Sequence, residues 1–163
     1  MRGLLLVIWL VMPQSAMALS CLPHNAISAF LDTARSNNSY IAVLGRLSFD
    51  ASKIPKPDQS RQRLPKPDNF LSGRISGHSL TQSGFDAPFD RAIDINLKCM
   101  GPWCARLRSG QEHLVYLERT DGRYLLVADP CGGYAFATPD PATLDKVRSC
   151  MRGQACDPEL PRR

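Results

Sequence analysis

The chain has 163 residues, a formal net charge of +5 and six cysteines. This length suits a single domain, which buries about two-thirds of its surface on folding. The mild positive charge supports solubility more than binding to a polyanion, so we expect no nucleic-acid partner.

Residues 1–18 have the plan of a secretory signal peptide. Arg2 gives a basic start, an apolar run follows over residues 4–12, and Ala16-Met17-Ala18 forms a small-x-small cleavage site. The run is too short to span a bilayer, and no later stretch is longer, so we expect no transmembrane segment. We therefore expect a secreted or periplasmic protein with one domain over residues 19–156 and a C-terminal tail over 157–163.

The first elements predicted after the signal peptide are a helix and a strand. Residues 25–35 carry apolar side chains three and four positions apart after Pro23, which is typical of a short amphipathic helix. The segment "SYIAVLGRLSFD" (39–50) is rich in β-branched and aromatic residues and predicts a long strand. Gly45 within it would permit a bend or a bulge.

Residues 50–69 differ in character from the rest of the chain. They hold four prolines and five basic residues, and Ile54-Pro55-Lys56-Pro57-Asp58 is nearly repeated over residues 64–68. We interpret this stretch as an exposed, extended loop. A basic arm that binds anionic surfaces is the alternative.

Four more runs predict strands: "FLSGRISGHSL", "FDRAIDINLK", "EHLVYLER" and "RYLLVADP". "TDG" between the last two indicates a hairpin. Asp140-Pro141 then predicts the start of a C-terminal helix, with the N-cap followed by a first-turn proline. Five strands, a helix at each end and a long first connection predict a mainly β fold, a small five-stranded barrel of OB type.

The cysteines are even in number, as a set of three disulfides requires. They are Cys21, Cys99, Cys104, Cys131, Cys150 and Cys156. In an exported chain this count predicts a disulfide-stapled domain, although spacing alone leaves fifteen pairings open. A zinc site built from the 99/104 and 150/156 pairs is the alternative.

The residues carry little that predicts catalysis. His24, His78 and His113 are scattered, with no two at a spacing that places them on one face of one element. Three disulfides would leave no free thiol for a cysteine nucleophile, and no glycine-rich phosphate loop is present. We therefore predict a non-enzymatic protein with no cofactor and no intrinsic metal.

The order of these features resembles the netrin-module family, and within it the N-terminal domain of the tissue inhibitors of metalloproteinases. Cys21-Leu22-Pro23-His24 followed by Ala29-Phe30 matches the start of those inhibitors, and "YIAVLGRLSF" is similar to their first strand. The hairpin region that ends in "DPCGG" resembles the family's later cysteine segment. The likeness covers most of residues 19–137, more loosely over 50–98, and implies a netrin-like OB fold.

The resemblance also implies a mechanism. The first residue of a mature inhibitor presents its α-amino group and carbonyl oxygen to the catalytic zinc of a metalloprotease. Aligning Cys21 with the family's second cysteine gives Leu19 the first position, provided that cleavage follows Ala18. The resemblance thus implies a zinc metalloprotease as the protein partner, and it implies an inhibitory wedge made of Leu19, Ser20, Cys21, Leu22 and Pro23.

The same resemblance implies a disulfide between Cys21 and Cys131. With that pair set, Cys99–Cys104 and Cys150–Cys156 would be local disulfides. The family holds its first residue with a disulfide, whereas Leu19 has no such anchor.

Two other hypotheses stay open. One is an envelope or extracellular interaction module without inhibitory activity that binds through the basic loop between Lys53 and Lys66. The other is a lipid-anchored protein acylated at Cys21, which would make the number of remaining cysteines odd. For all of these functions we expect a monomer.

Overall fold

A computed structural model of the chain is mainly β and, in the part of the chain that it describes, has a seven-stranded sheet, two helices and three disulfides. The structure describes residues 19–56 and 64–159. The predicted signal peptide (1–18), part of the predicted loop (57–63) and the end of the predicted tail (160–163) lie outside the described residues. Within the described ranges no helix is long and apolar enough to cross a membrane.

The predicted N-terminal helix is present as α1 (Ala26–Arg35), which starts one residue later than predicted because Asn25 is its N-cap. The Asn25 side-chain oxygen accepts hydrogen bonds from the backbone N–H groups of Ile27 (3.1 Å) and Ser28 (2.9 Å). Ser28 Oγ in turn accepts one from the Asn25 N–H (2.9 Å). This reciprocal cap satisfies N–H groups that a helix start leaves unpaired.

The predicted C-terminal helix is present as α2 (Pro141–Met151). Its N-cap is Asp140, whose side chain accepts a hydrogen bond from the Thr143 N–H (2.8 Å). Val147 and Cys150 are buried on one side of the helix, as the apolar spacing predicts.

The strands in chain order are β1 (Ser39–Phe49), β2 (Asp68–Leu80), β3 (Phe85–Met100), β4 (Trp103–Cys104), β5 (Gln111–Thr120), β6 (Arg123–Ala128) and β7 (Ala135–Ala137). The five longest correspond to the five predicted strands. The predicted count is too low because β4 and β7, with two and three residues, are too short to show an alternating pattern. The hairpin predicted at "TDG" is present, since β5 and β6 pair in antiparallel fashion up to Thr120 opposite Arg123.

The pairing of the long strands closes on itself. The sheet order is β1-β2-β3-β6-β5-β7, and β1 also pairs with β5. Going around the ring, β1 is therefore bonded to β2 on one edge and to β5 on the other. β3 and β6 run parallel, while the other strand pairs of the described chain are antiparallel.

The glycine in β1 has a different role from the predicted bulge. Gly45 lies in continuous register opposite Gly77 of β2, and the irregularity in the β2–β3 pairing lies between Ser79 and Leu80 instead. A Cβ on Gly45 would be 2.6 Å from the Ser76 carbonyl oxygen, closer than real Cβ contacts come. Glycine is thus required here for close approach of two backbones.

Two apolar clusters form the core, and β5 contributes to both. Val115 and Leu117 belong to the larger cluster, which gathers buried side chains from the strands of the ring. Leu114 and Tyr116, on the opposite face of β5, pack with α1 and α2 in the second cluster. Because alternate residues of a strand point to opposite faces, β5 is covered on both sides.

The three disulfides are Cys21–Cys131, Cys99–Cys104 and Cys150–Cys156. These are the same pairs that the family resemblance implies. The alternative zinc site is wrong, since the four cysteines it needs are bonded to one another. The lipid-anchor hypothesis is also wrong in this structure, because acylation needs the Cys21 sulfur that the disulfide uses.

The long first connection and the start of the C-terminal tail both lie outside the sheet. After β1 the chain forms a short 3₁₀ turn (Ala51–Lys53), and β2 begins at Asp68. The first residues of the tail pack back onto the start of α1, where the Asn25 amide donates a hydrogen bond to the Pro158 carbonyl oxygen (2.5 Å). An ion pair between Lys146 of α2 and Glu159 fixes the same segment.

Candidate functional site

The segment Leu19–Pro23, which the sequence predicts as an inhibitory wedge, lies at the surface ahead of α1. Leu19 is partly buried, whereas Ser20 and Cys21 are exposed. The Leu22 side chain is 73% exposed, the largest value among the big apolar residues of the described chain. An exposed leucine beside a cysteine-anchored backbone is a feature that a protein partner could bury.

The segment is covalently fixed to the turn that follows β6. The Cys21–Cys131 disulfide joins residues 110 positions apart, with their Cα atoms 5.4 Å from each other. Asp129 shapes this turn, since its side chain accepts a hydrogen bond from the Cys131 N–H (2.7 Å) and its carbonyl accepts one from the Gly132 N–H (3.1 Å). Cys131 is thereby held in a defined position.

Gly133 completes the same turn for a steric reason. Its φ is +61°, and a Cβ there would be 2.9 Å from both the Asp129 nitrogen and the Val127 carbonyl oxygen. Only glycine fits that backbone without strain. The "DPCGG" pattern of the sequence is therefore a tight turn whose geometry positions the disulfide.

A histidine provides a second attachment point. His24 Nε2 lies 2.8 Å from the Gly133 carbonyl oxygen, and its Nδ1 lies 3.1 Å from Ser28 Oγ. Since a carbonyl oxygen only accepts, Nε2 carries the proton of this bond. The imidazole also packs against the Phe136 ring, with centroids 5.8 Å apart. The sequence analysis did not assign this positioning role to His24. Its position three residues after Cys21 could have indicated that it lies near the disulfide.

A second surface element lies next to the segment, and sequence reasoning missed it. The Cys99–Cys104 disulfide closes the turn between β3 and β4, and Met100 and Trp103 at its tip are 45% and 39% exposed. Cys99 pairs with Cys104, and Met100 with Trp103, in the strand register. A cysteine pair enclosing Gly-Pro could have indicated such a closed hairpin.

Two shallow cavities flank the N-terminal segment. The larger, about 660 Å³, lies between Leu19, the Trp103 turn and the loop at Ile54 and Pro55. The smaller, about 450 Å³, lies between Leu19, Leu22, Met100 and Tyr134. Leu19, Cys21 and Asp129 line both. The segment thus borders two surface depressions.

Candidate metal ligands do not cluster within the described residues. No group of three or more histidine, cysteine or acidic side chains lies close enough to hold a metal ion in ranges 19–56 and 64–159. His78 is exposed on β2, whereas His113 is buried on β5 with Nδ1 3.1 Å from the Gln111 carbonyl oxygen. Burial lowers the pKa of His113 below its ordinary value.

Other titratable side chains are paired at the surface. Arg74 donates a hydrogen bond to Asp90 (2.6 Å), which holds the pKa of that carboxyl below its ordinary value. Hydrogen bonds from the Ser83 and Thr81 hydroxyls lower the pKa of Asp86 in the same direction. Burial raises the pKa of Tyr40 to about 12, and the Glu118 carboxylate nearby adds to this. These groups are arranged to stabilise strands and turns.

The basic loop presents its charges to solvent. Lys53, Lys56 and Lys66 are exposed, and none of them forms an ion pair within the described part of the chain. Arg61 and Arg63 of the same loop lie outside the described residues. The loop therefore offers at least three accessible cations next to the larger cavity, which Ile54 and Pro55 line.

Comparison with protein-family models, with curated proteins and with solved structures finds no match to this chain. The netrin-module resemblance therefore stays a prediction from the sequence. The features that bear on function are the geometry of the N-terminal segment and its surroundings.

Proposed function

We propose that the chain is an exported, non-enzymatic binding protein whose Leu19–Pro23 segment enters the active-site cleft of a zinc metalloprotease. The residue facing the zinc is Leu19, which is the first residue when the signal peptide is cleaved after Ala18. Its α-amino nitrogen and carbonyl oxygen are the zinc ligands, and they occupy the position of the catalytic water. The protein contributes no metal of its own.

The observation that carries this proposal is the double attachment of the segment. The Cys21–Cys131 disulfide and the bond from His24 to the Gly133 carbonyl both lie within five residues of Leu19. A segment held in this way loses less conformational freedom on binding than a free terminus would. Surface exposure of Ser20, Cys21 and Leu22 leaves the same segment available to a cleft.

The strand arrangement supports the fold part of the proposal. Among the described residues, the five long strands follow the closed order β1-β2-β3-β6-β5 with one parallel pair between β3 and β6, which supports a five-stranded OB-type, netrin-like barrel. Three disulfides support the proposed secreted or periplasmic location, since disulfides persist in oxidising compartments.

Titration of the exported chain into a panel of zinc proteases tests the function. We expect stoichiometric inhibition of at least one protease by protein whose intact mass shows Leu19 as its first residue. An added alanine before Leu19 moves the α-amino group away from the zinc, so we expect inhibition to be lost. The matched control carries an added alanine after Arg163. Absence of inhibition across the panel, or inhibition that survives the N-terminal alanine, contradicts the wedge.

The exposed lysines of the basic loop favour a second candidate, an envelope or extracellular interaction module without inhibitory activity. Replacing Lys53, Lys56 and Lys66 by glutamine should then abolish binding to vesicles that contain phosphatidylglycerol, because exposed charges act through screened attraction. The matched control removes the same charge at Arg35, Arg91 and Arg119, which are also exposed. The wedge function predicts that none of these changes affects protease inhibition.

A further inference from the structure

The turn between β3 and β4 is closed by a disulfide and lies next to the N-terminal segment. Met100 and Trp103 are directly opposite each other in the register, so their side chains lie on one face. The Cys99–Cys104 disulfide closes the turn behind them. The Trp103 ring lies over Gly101, since a Cβ placed there would be 3.7 Å from Trp103 Cζ3. The two apolar side chains are therefore presented as a fixed pair.

Leu19, like Cys21, borders the two cavities that adjoin this pair. It lines the larger cavity together with Trp103 and the smaller cavity together with Met100. Leu19 is partly buried, while residues 20–22 behind it are exposed. Leu19 is thus less exposed than the three residues that follow it, and it borders both cavities that adjoin the turn.

We propose that Met100 and Trp103 form a seat for the Leu19 side chain, and that this seat holds the mature N-terminus in place. The inference rests on the proposed function, in which Leu19 is the first residue. Packing of Leu19 on a disulfide-closed turn replaces the covalent anchor that the chain lacks at this position. Met100 and Trp103 are thus positioning residues, which orient the zinc-facing backbone through the leucine side chain.

Tryptophan fluorescence tests the seat without any protease. The chain has two tryptophans, Trp9 and Trp103, and Trp9 lies within residues 1–18. Emission from the exported chain therefore reports on Trp103 alone. We expect Leu19→Ala to shift this emission to longer wavelength and to increase its quenching by iodide, because the indole becomes more exposed to water.

Leu22→Ala is the matched control, since Leu22 is the same residue type three positions away and is 73% exposed. It should leave the emission and the quenching of Trp103 unchanged. Circular dichroism establishes that both variants are folded. Equal effects of the two substitutions, or no effect of Leu19→Ala, would overturn the seat.

Inhibition kinetics test the positioning role. We expect Trp103→Ala to weaken inhibition about tenfold, the scale of ordering one side chain and its segment. Trp103→Phe should restore most of the loss. Phe70→Ala, at an aromatic residue of β2 that is 68% exposed, should have no effect.

A double-mutant cycle separates positioning from direct contact with the protease. If Trp103 acts through Leu19, the double variant Leu19→Ala/Trp103→Ala should lose only as much inhibition as the more damaging of the two single substitutions. Additive losses would overturn the positioning role. If no protease in the panel is inhibited, the proposed function fails, and the fluorescence comparison alone decides whether the seat exists.

Discussion

At the scale of single residues, Tyr116 connects the N-terminal helix to the sheet. Its hydroxyl donates a hydrogen bond to the Ala26 carbonyl oxygen (2.7 Å), and its ring meets those of Phe30 and Phe136 edge-on. Burial raises the pKa of Tyr116, so the hydroxyl remains a donor across the physiological range. Since α1 begins three residues after the Leu19–Pro23 segment, this contact also fixes the direction from which that segment leaves the domain.

Removing only the hydroxyl isolates this bond. Tyr116→Phe keeps the aromatic contacts, so we expect the free energy of unfolding to fall by about 1 kcal/mol, the usual net value of a buried hydrogen bond. Urea unfolding followed by circular dichroism measures the change. Tyr124→Phe is the control, because the Tyr124 hydroxyl makes no hydrogen bond to described residues while its ring packs on Phe89. A similar loss in both variants would contradict the assigned role.

His113 makes stability depend on pH. It is 1% exposed, and burial lowers its pKa below the ordinary value of 6.5. The unfolded chain therefore binds this proton at a higher pH than the folded chain does. The contribution to stability is complete above about pH 6.5 and is lost as the pH falls from there towards the lower pKa of the folded state.

We therefore expect the free energy of unfolding to be lower at pH 5.5 than at pH 7.5. His113→Gln should flatten this dependence, whereas His78→Gln, at an exposed histidine, should preserve it. Urea unfolding at the two pH values measures both. A slope unchanged by His113→Gln would exclude this residue as the cause.

At the scale of structural elements, the disulfides differ in the length of the loop that each one closes. Cys21–Cys131 spans 110 residues and ties the N-terminal segment to the turn after β6. Cys150–Cys156 spans 6 residues at the end of α2. Because a cross-link restrains the unfolded chain more when the loop it closes is longer, the first should matter more for stability.

Paired substitutions measure that difference. We expect Cys21→Ala/Cys131→Ala to lower the free energy of unfolding by about 4–5 kcal/mol and Cys150→Ala/Cys156→Ala by about 2 kcal/mol. Thermal and urea unfolding under non-reducing conditions compare the two variants. An equal loss would mean that local packing, not the length of the closed loop, sets the contribution of each disulfide.

Whether the sequence predicts a strand depends mainly on the length of that strand. β1, β2, β3, β5 and β6 are long enough for alternation or β-branched runs to show in the sequence, and both helices have capping residues. β7 exists because it pairs with β5 between His113 and Val115, a contact between residues distant in the chain. Asn96 alternates with apolar neighbours as a solvent-facing residue would, yet it is buried, and its Nδ2 donates to Asp68 (2.8 Å).

The candidate site was only partly visible in the sequence. The family resemblance located Leu19–Pro23 and the Cys21–Cys131 pair. The attachment of His24 to Gly133 and the nearness of the Trp103 turn to Leu19 depend on tertiary structure. No local pattern brings residue 103 next to residue 19, so these features required the folded chain.

At the scale of the whole molecule, the ring of strands depends on β1 serving two neighbours at once. β1 pairs with β5 from Ser39 to Leu47 and with β2 from Val43 to Phe49, so the two ladders overlap around Gly45. A strand bonded on both edges cannot shift towards either side without breaking a ladder. The close approach of Gly45 to Gly77 is therefore fixed by the closure of the ring.

Substitution at Gly77 tests this closure. A Cβ on Gly77 would be 2.1 Å from the Leu44 carbonyl oxygen and 2.5 Å from the Gly45 Cα, both backbone atoms that cannot rotate away. We expect Gly77→Ala to lower the free energy of unfolding by about 3 kcal/mol or more, because β1 and β2 must separate.

Gly73→Ala is the matched control on the same strand. Its nearest obstacle is Ile95 Cδ1 at 2.6 Å, the end of a flexible side chain that can change rotamer. We expect a loss of about 1 kcal/mol there, measured by the same urea unfolding. Hydrogen exchange adds a local readout, since separation of β1 from β2 should expose amides between Val43 and Phe49 in the Gly77 variant and leave β3–β6 amides protected. The two variants could instead be equally stable, with unchanged hydrogen exchange in β1. That outcome would mean that β1 and β2 can lie further apart here and that closure of the ring does not depend on the glycine pair.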